Sequence, residues 1–110
     1  MKPIVCTIKE NAWLAKIASR QLKSRQAAIV IGRTIYLYGV TGKAFMENIP
    51  WLRHEACHIR QYNRYRIKGF LFLYLFEYVR FGYYNNCFEK EARAAETNPA
   101  MLDNITFTIR

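Results

Sequence analysis

The sequence predicts a small α+β domain of about four helices and a short β-hairpin, on three observations. Apolar residues recur at helical spacing in long segments, two β-branched and aromatic runs flank Gly32-Arg33, and 110 residues suit a single domain spanning 1–110. Apolar residues make up 52% and aromatic residues 15%, which excludes a disordered chain and supplies a compact core. A domain of this size gains little from its core alone, and a bound metal is one remedy.

The elements follow in order. Residues 10–23 form a first helix, because Trp13, Leu14, Ile17 and Leu22 recur at roughly helical spacing with Lys and Arg between them. From Gln26 the pattern changes to AAIVI and TIYLYGV, a hairpin with a tight turn at Gly32-Arg33, closed by Gly39 and Gly42. A second helix starts near Pro50 with Asn48 as its cap. It runs through WLRHEACHIRQYNRYRI and breaks at Lys68-Gly69. A third, very apolar helix extends from Phe70 to Phe81, and residues 82–86 make a loop. FEKEARAAE is a short fourth helix ended by Asn98-Pro99. The tail alternates Ile105, Phe107 and Ile109 with polar residues, as a final strand or as a segment lying in a cleft.

Seventeen Lys and Arg against eight Asp and Glu give a net charge of +9. That balance suits nucleic acid, anionic membrane or acidic protein, and selects none of them. The cations are spread along the chain without a basic arm or reader motif, so no specific nucleic acid is expected. Cys6, Cys57 and Cys87 are odd in number and lack CxxC spacing, which fits free thiols of a reducing compartment. The first residues lack the apolar core of a signal peptide. The greasy stretch 70–76 meets Glu77 and Arg80, well short of the ~20 residues that span a bilayer. A cytoplasmic location is therefore expected. The third helix is apolar almost all round, as a core helix, a homodimer interface or a shallow membrane contact would be.

Chemistry concentrates in the second helix, where His54, Glu55, Ala56, Cys57 and His58 spell H-E-x-x-H. Two imidazoles four residues apart lie about 40° apart around a helix, one turn above the other. Both Nε2 atoms can then reach one tetrahedral ion at roughly 2.0–2.1 Å. Glu55 cannot join them in that geometry; it sits beside the open position, where a carboxylate takes a proton from activated water. These are the only two histidines in the chain. The helical wheel gathers His54, His58, Gln61, Tyr62, Tyr65 and Trp51 on one side, and Arg53, Arg60 and Arg64 on the other as a solvated face. Cys57 falls nearer the arginines and is a bystander, not a ligand.

Downstream, FEKEA at 88–92 resembles the E-x-x-A helix of gluzincin metallopeptidases, including the integral-membrane CaaX-prenyl-processing type. The resemblance runs from Leu52 to about Ala95, and the chain length is similar to that of minigluzincins. It implies a zincin-like domain with the active-site helix packed beside the hairpin. It further implies one zinc per chain, held by His54, His58 and Glu89, with Glu55 as catalytic base and a peptide or protein as substrate. Ala92 would let the ligand helix pack close, and a hairpin strand at 34–40 would line the cleft rim and bind substrate backbone. Glu91 is the rival ligand. Where the prenyl-processing pattern has an Asp after the Ala, this chain has Arg93. A backbone carbonyl, Glu91, Glu96 or Glu77 would then support the first histidine.

Tyr83 and Tyr84 precede the ligand helix on a loop, from which a phenol can stabilise an oxyanion, and Gln61 can hydrogen-bond within the cleft. Two other classes remain open. One is a zinc-binding scaffold without activity; the other is a basic membrane- or nucleic-acid-binding protein whose motif is coincidental.

Overall fold

A computed structural model of the chain describes residues 3–110. It is an α+β fold with a four-stranded mixed sheet. The elements are β1 (Ile4–Lys9), α1 (Trp13–Gln21), β2 (Ala27–Ile31), β3 (Thr34–Tyr38), α2 (Gly42–Glu47), α3 (Ile49–Tyr65), α4 (Ile67–Phe81), α5 (Cys87–Ala95), a 3₁₀ turn (Pro99–Leu102) and β4 (Ile105–Ile109). All four expected helices and the hairpin are present. The strand β1 and the single-turn helix α2 are additions that the sequence pattern did not suggest.

The sheet runs β2-β3-β1-β4. β2 and β3 pair antiparallel, with Ile31 opposite Thr34 across the Gly32-Arg33 turn. Gly32 adopts φ +64°, a conformation costly for a side-chain-bearing residue and free for glycine. β1 pairs in parallel with both β3 and β4. The tail is therefore a strand of the sheet and does not occupy the cleft.

α3 lies across the sheet, and Leu52, Ile59 and Tyr62 pack with Cys6, Ile8, Ile35 and Leu37 into the main core. Asn48 caps α3 as expected: its side chain accepts from the Trp51 N–H at 3.4 Å, with Pro50 in the first turn. The break between the second and third helices comes earlier than Lys68-Gly69. Arg66 turns the chain at φ +64°, ψ 169°, and Gly69 lies inside α4. α4 buries only Phe70, whose ring packs against Tyr62 (4.5 Å between centroids) and Phe88 (5.0 Å). Among the described residues, no helix is long and apolar enough to cross a membrane.

Two of the three arginines expected to face solvent instead hold other segments. Arg53 donates to the Glu96 carbonyl at 3.2 Å. Arg60 donates to the carbonyls of Met101 (3.0 Å) and Asp103, and so clamps the connection into β4. Arg64 is exposed.

Candidate metal centre

α3 and α5 build the site. Cys57 on α3 packs against Ala92 and Ala95 on α5, and these small residues let the two helices approach closely. Asn86 fixes the start of α5. Its Oδ1 accepts from the Phe88 N–H at 2.9 Å and its Nδ2 donates to the Tyr74 carbonyl at 3.1 Å, so the fully buried amide ties α5 to α4. Glu89, in the first turn after that cap, is thereby aimed at α3.

Glu89 Oε1 lies 3.2 Å from Nε2 of His54 and 3.2 Å from Nε2 of His58. The ligand atoms of these three residues all fall within 4.8 Å of one another, a group that could hold a metal ion. The opposite ring nitrogens are held as well. His54 Nδ1 is 2.8 Å from Glu96 Oε2, and His58 Nδ1 is 2.8 Å from Gln61 Oε1. Gln61 has its amide nitrogen committed as donor to Glu91 Oε1 (2.7 Å) and the Phe88 carbonyl (3.1 Å), so its oxygen must face His58. Both Nδ1 atoms therefore donate, which leaves each Nε2 facing Glu89, where it offers a lone pair to an ion once its proton is displaced. The residues fit a metal.

Electrostatics agree with a site built around a cation. Burial alone would lower the His54 pKa, but Glu89, Glu55 and Glu96 outweigh it and lift it to about 9. Burial works against His58 in the same way, and Glu89 again prevails and raises it. Glu89 itself would be pushed up by burial; the two imidazoles and the Tyr74 hydroxyl instead hold it well below the usual carboxylate range. Glu55 differs, since burial raises its pKa and the histidines only partly oppose this. Its Oε2 accepts from Trp51 Nε1 at 3.1 Å, one turn back on α3. It lines the cleft without entering the ligand group.

That cleft is a cavity of ≈ 450 Å³ between α1, β2, α3 and α4, walled by apolar residues such as Ile17, Ile29 and Leu71. A second cavity of ≈ 500 Å³ adjoins it. Both are lined by Ala28, His54, Glu55 and Tyr83, whereas His58 and Glu89 line only the first, so the ligand group sits in the first cavity with His54 and Glu55 at its border with the second.

No protein-family model, curated protein or solved structure matches this chain.

The other expected residues divide clearly. Tyr83 reaches the cleft beside Glu89 and Glu55, and burial followed by those carboxylates raises its pKa. Tyr84 does not: it is largely exposed, with the Arg93 guanidinium 4.0 Å from its ring centroid. Gln61 lies behind His58, 1% exposed and off the cleft wall, and its oxygen holds the His58 ring. Glu91 is occupied with Gln61 and stays outside the ligand group. Cys57 also stays outside; burial first, then Glu91, pushes its thiol up to about 12. Of the candidates to support His54, Glu96 takes the part, while Glu77 accepts from the Cys87 N–H at 3.0 Å.

The strand along the cleft is β2 and not the 34–40 segment. β3 is paired on both sides, by β2 and β1, and has no edge to offer. Sequence reasoning missed Tyr74, whose hydroxyl donates to Glu89 Oε2 at 2.6 Å. It stands in an apolar run on α4, and the only local signal is a hydroxyl among Phe and Leu.

Proposed function

We propose that the chain is a zinc-dependent metallopeptidase of the gluzincin type that hydrolyses peptide bonds. The observation that carries this reading is the separation of two carboxylates. Glu89 lies between both Nε2 atoms, while Glu55 is held beside them by Trp51 and faces the cleft. Two imidazole nitrogens and one carboxylate oxygen form a donor set suited to zinc with an open position for reaction. Bound at these residues, zinc would supply Lewis acidity, acidifying water and polarising the scissile carbonyl.

The remaining work belongs to the chain. Glu55 takes the proton of the attacking water and hands it to the leaving amine. Burial raises its proton affinity, which makes its ionised carboxylate a stronger acceptor. The Tyr83 hydroxyl, which lines the cleft, would donate to charge developing on the carbonyl oxygen. Along β2, Ile29 and Ile31 face β3 in the ladder, so Ala28 and Val30 direct their N–H and C=O groups outward. An extended peptide can pair there as an added strand and cross the site from one cavity to the other.

Metal analysis of natively purified protein should find about one zinc per chain, lost in Glu89→Ala. Glu55→Gln should keep the zinc and lose hydrolysis of an unstructured peptide pool by at least about 100-fold. Cleavage by Glu55→Gln at the wild-type rate would remove Glu55 as the base. Full zinc without any chelator-sensitive cleavage would leave a zinc-binding scaffold.

A further inference from the structure

We propose that the exposed face of α4, with the neighbouring end of α1, docks on the surface of an anionic phospholipid bilayer. Phe72, Leu75, Phe76 and Val79 follow helical spacing and form one stripe along α4. Phe72 is 71% exposed, Leu75 61%, Phe76 50% and Val79 76%, so the rest of the fold leaves most of the stripe uncovered. Across the mouth of the cleft, Ile17 and Leu22 at α1 are also exposed and share the cavity with Leu71 and Tyr78 of α4. The apolar surface is continuous from the helix into the cleft, and a patch of this kind marks a contact site.

The charges around it identify the partner. Arg66 and Lys68 stand at one end of α4, where with Arg33 they line a cavity of ≈ 600 Å³ that has no carboxylate in its wall. Near the other end, the Arg80 guanidinium lies 5.7 Å from the Phe76 ring and 5.1 Å from the Phe81 ring. Glu77, the one acid in α4, lies off the stripe and accepts from the Cys87 N–H. α1 carries Lys16 and Arg20 and no acid. Greasy side chains rimmed by cations match the acyl boundary beneath anionic headgroups.

A second copy of the chain fits less well. Pairing two α4 faces would bring cation against cation with no carboxylate between them, on a molecule that already carries +9. An acidic protein would satisfy the arginines and lysines but offers nothing in particular to the phenylalanines. The helix is also only about 22 Å long at 1.5 Å per residue, which suits lying in the interface and not crossing it.

Flotation of the full chain with phosphatidylcholine vesicles, with and without phosphatidylserine, tests this. Binding should require phosphatidylserine and should weaken as salt rises from about 0.1 to 1 M, shrinking the Debye length from about 10 to about 3 Å. The exposed pair Lys68→Gln/Arg80→Gln should bind about 25-fold more weakly, roughly fivefold per cation. Phe72→Ser/Val79→Ser should abolish binding without altering circular dichroism or the melting temperature. His54→Ala, which removes a proposed metal ligand, should bind vesicles as wild type does, so the docking stands or falls apart from the peptidase reading. Failure to bind either vesicle overturns the proposal. So does equal binding to both, or a dimer in solution that Phe72→Ser/Val79→Ser dissociates.

Discussion

Gln61 shows how much one side chain does at this site. Its carboxamide accepts from His58 Nδ1 and donates to Glu91 and to the Phe88 carbonyl, so its oxygen and both amide hydrogens are used inside the fold. Gln61→Leu would orphan the His58 N–H and one acceptor on each of two neighbours. If the proposed site holds zinc, its affinity should fall about 10- to 100-fold, measured by competition with a chelator at fixed pH. Unchanged affinity with a lowered melting temperature would make Gln61 a packing residue only. Glu96→Ala should act in the same direction through His54. His54, Glu55 and His58 are legible in the sequence because their relation is internal to one helix turn. Gln61 is visible only as a polar residue on the right face, and Tyr74 is not visible as a partner of Glu89 at all.

At the scale of elements, the α3–α4 junction carries the least expected feature. Arg66 holds φ +64° with ψ 169°, a region that glycine occupies freely and other residues rarely do. The glycine that would suit this corner stands three residues later, inside α4, and the pattern therefore places the break too late. Arg66→Gly should stabilise the protein by ~1 kcal/mol in urea unfolding, because the backbone strain is removed and the arginine side chain is exposed. An unchanged or lower midpoint would mean the arginine makes stabilising contacts that offset the strain. The same change removes a cation from the proposed docking face, so stability and membrane binding should move in opposite directions.

The whole molecule is closed by its last strand. β4 pairs with β1 over five positions, Arg110 N–H bonds the Ile8 carbonyl at 2.8 Å, and Ile105 and Phe107 pack against the main core. Gly42 leaves room for this closure, since a Cβ there would stand 2.7 Å from Ile109 Cγ2. Truncation after Asp103 should cost about 2–4 kcal/mol, as two partly buried apolar side chains are lost. It should also expose the β1 edge and promote aggregation. Calorimetry and size-exclusion chromatography read the two effects, and a truncated chain that melts like the intact one would show β4 to be dispensable.

What is local can be read from the chain directly. Helical and strand periodicity, the Asn48 cap, the Gly32 turn and the HExxH geometry each depend on residues a few positions apart, whose relation is set by backbone geometry alone. The spacing to Glu89 and the small Ala92 were legible through resemblance to a motif. Which faces meet follows from packing between distant segments. The parallel pairing of β1 with β3 and β4 joins segments far apart in the chain, with no local pattern to announce it. It made β2 the edge strand at the cleft. The packing of α3, α4 and α5 separately brought Tyr74 and Glu96 to Glu89 and His54, and fixed Gln61 against His58 through Glu91. It also left α4 uncovered. An apolar helix reads the same whether it is buried or not, because its exposure depends on how much of the fold remains to pack against it.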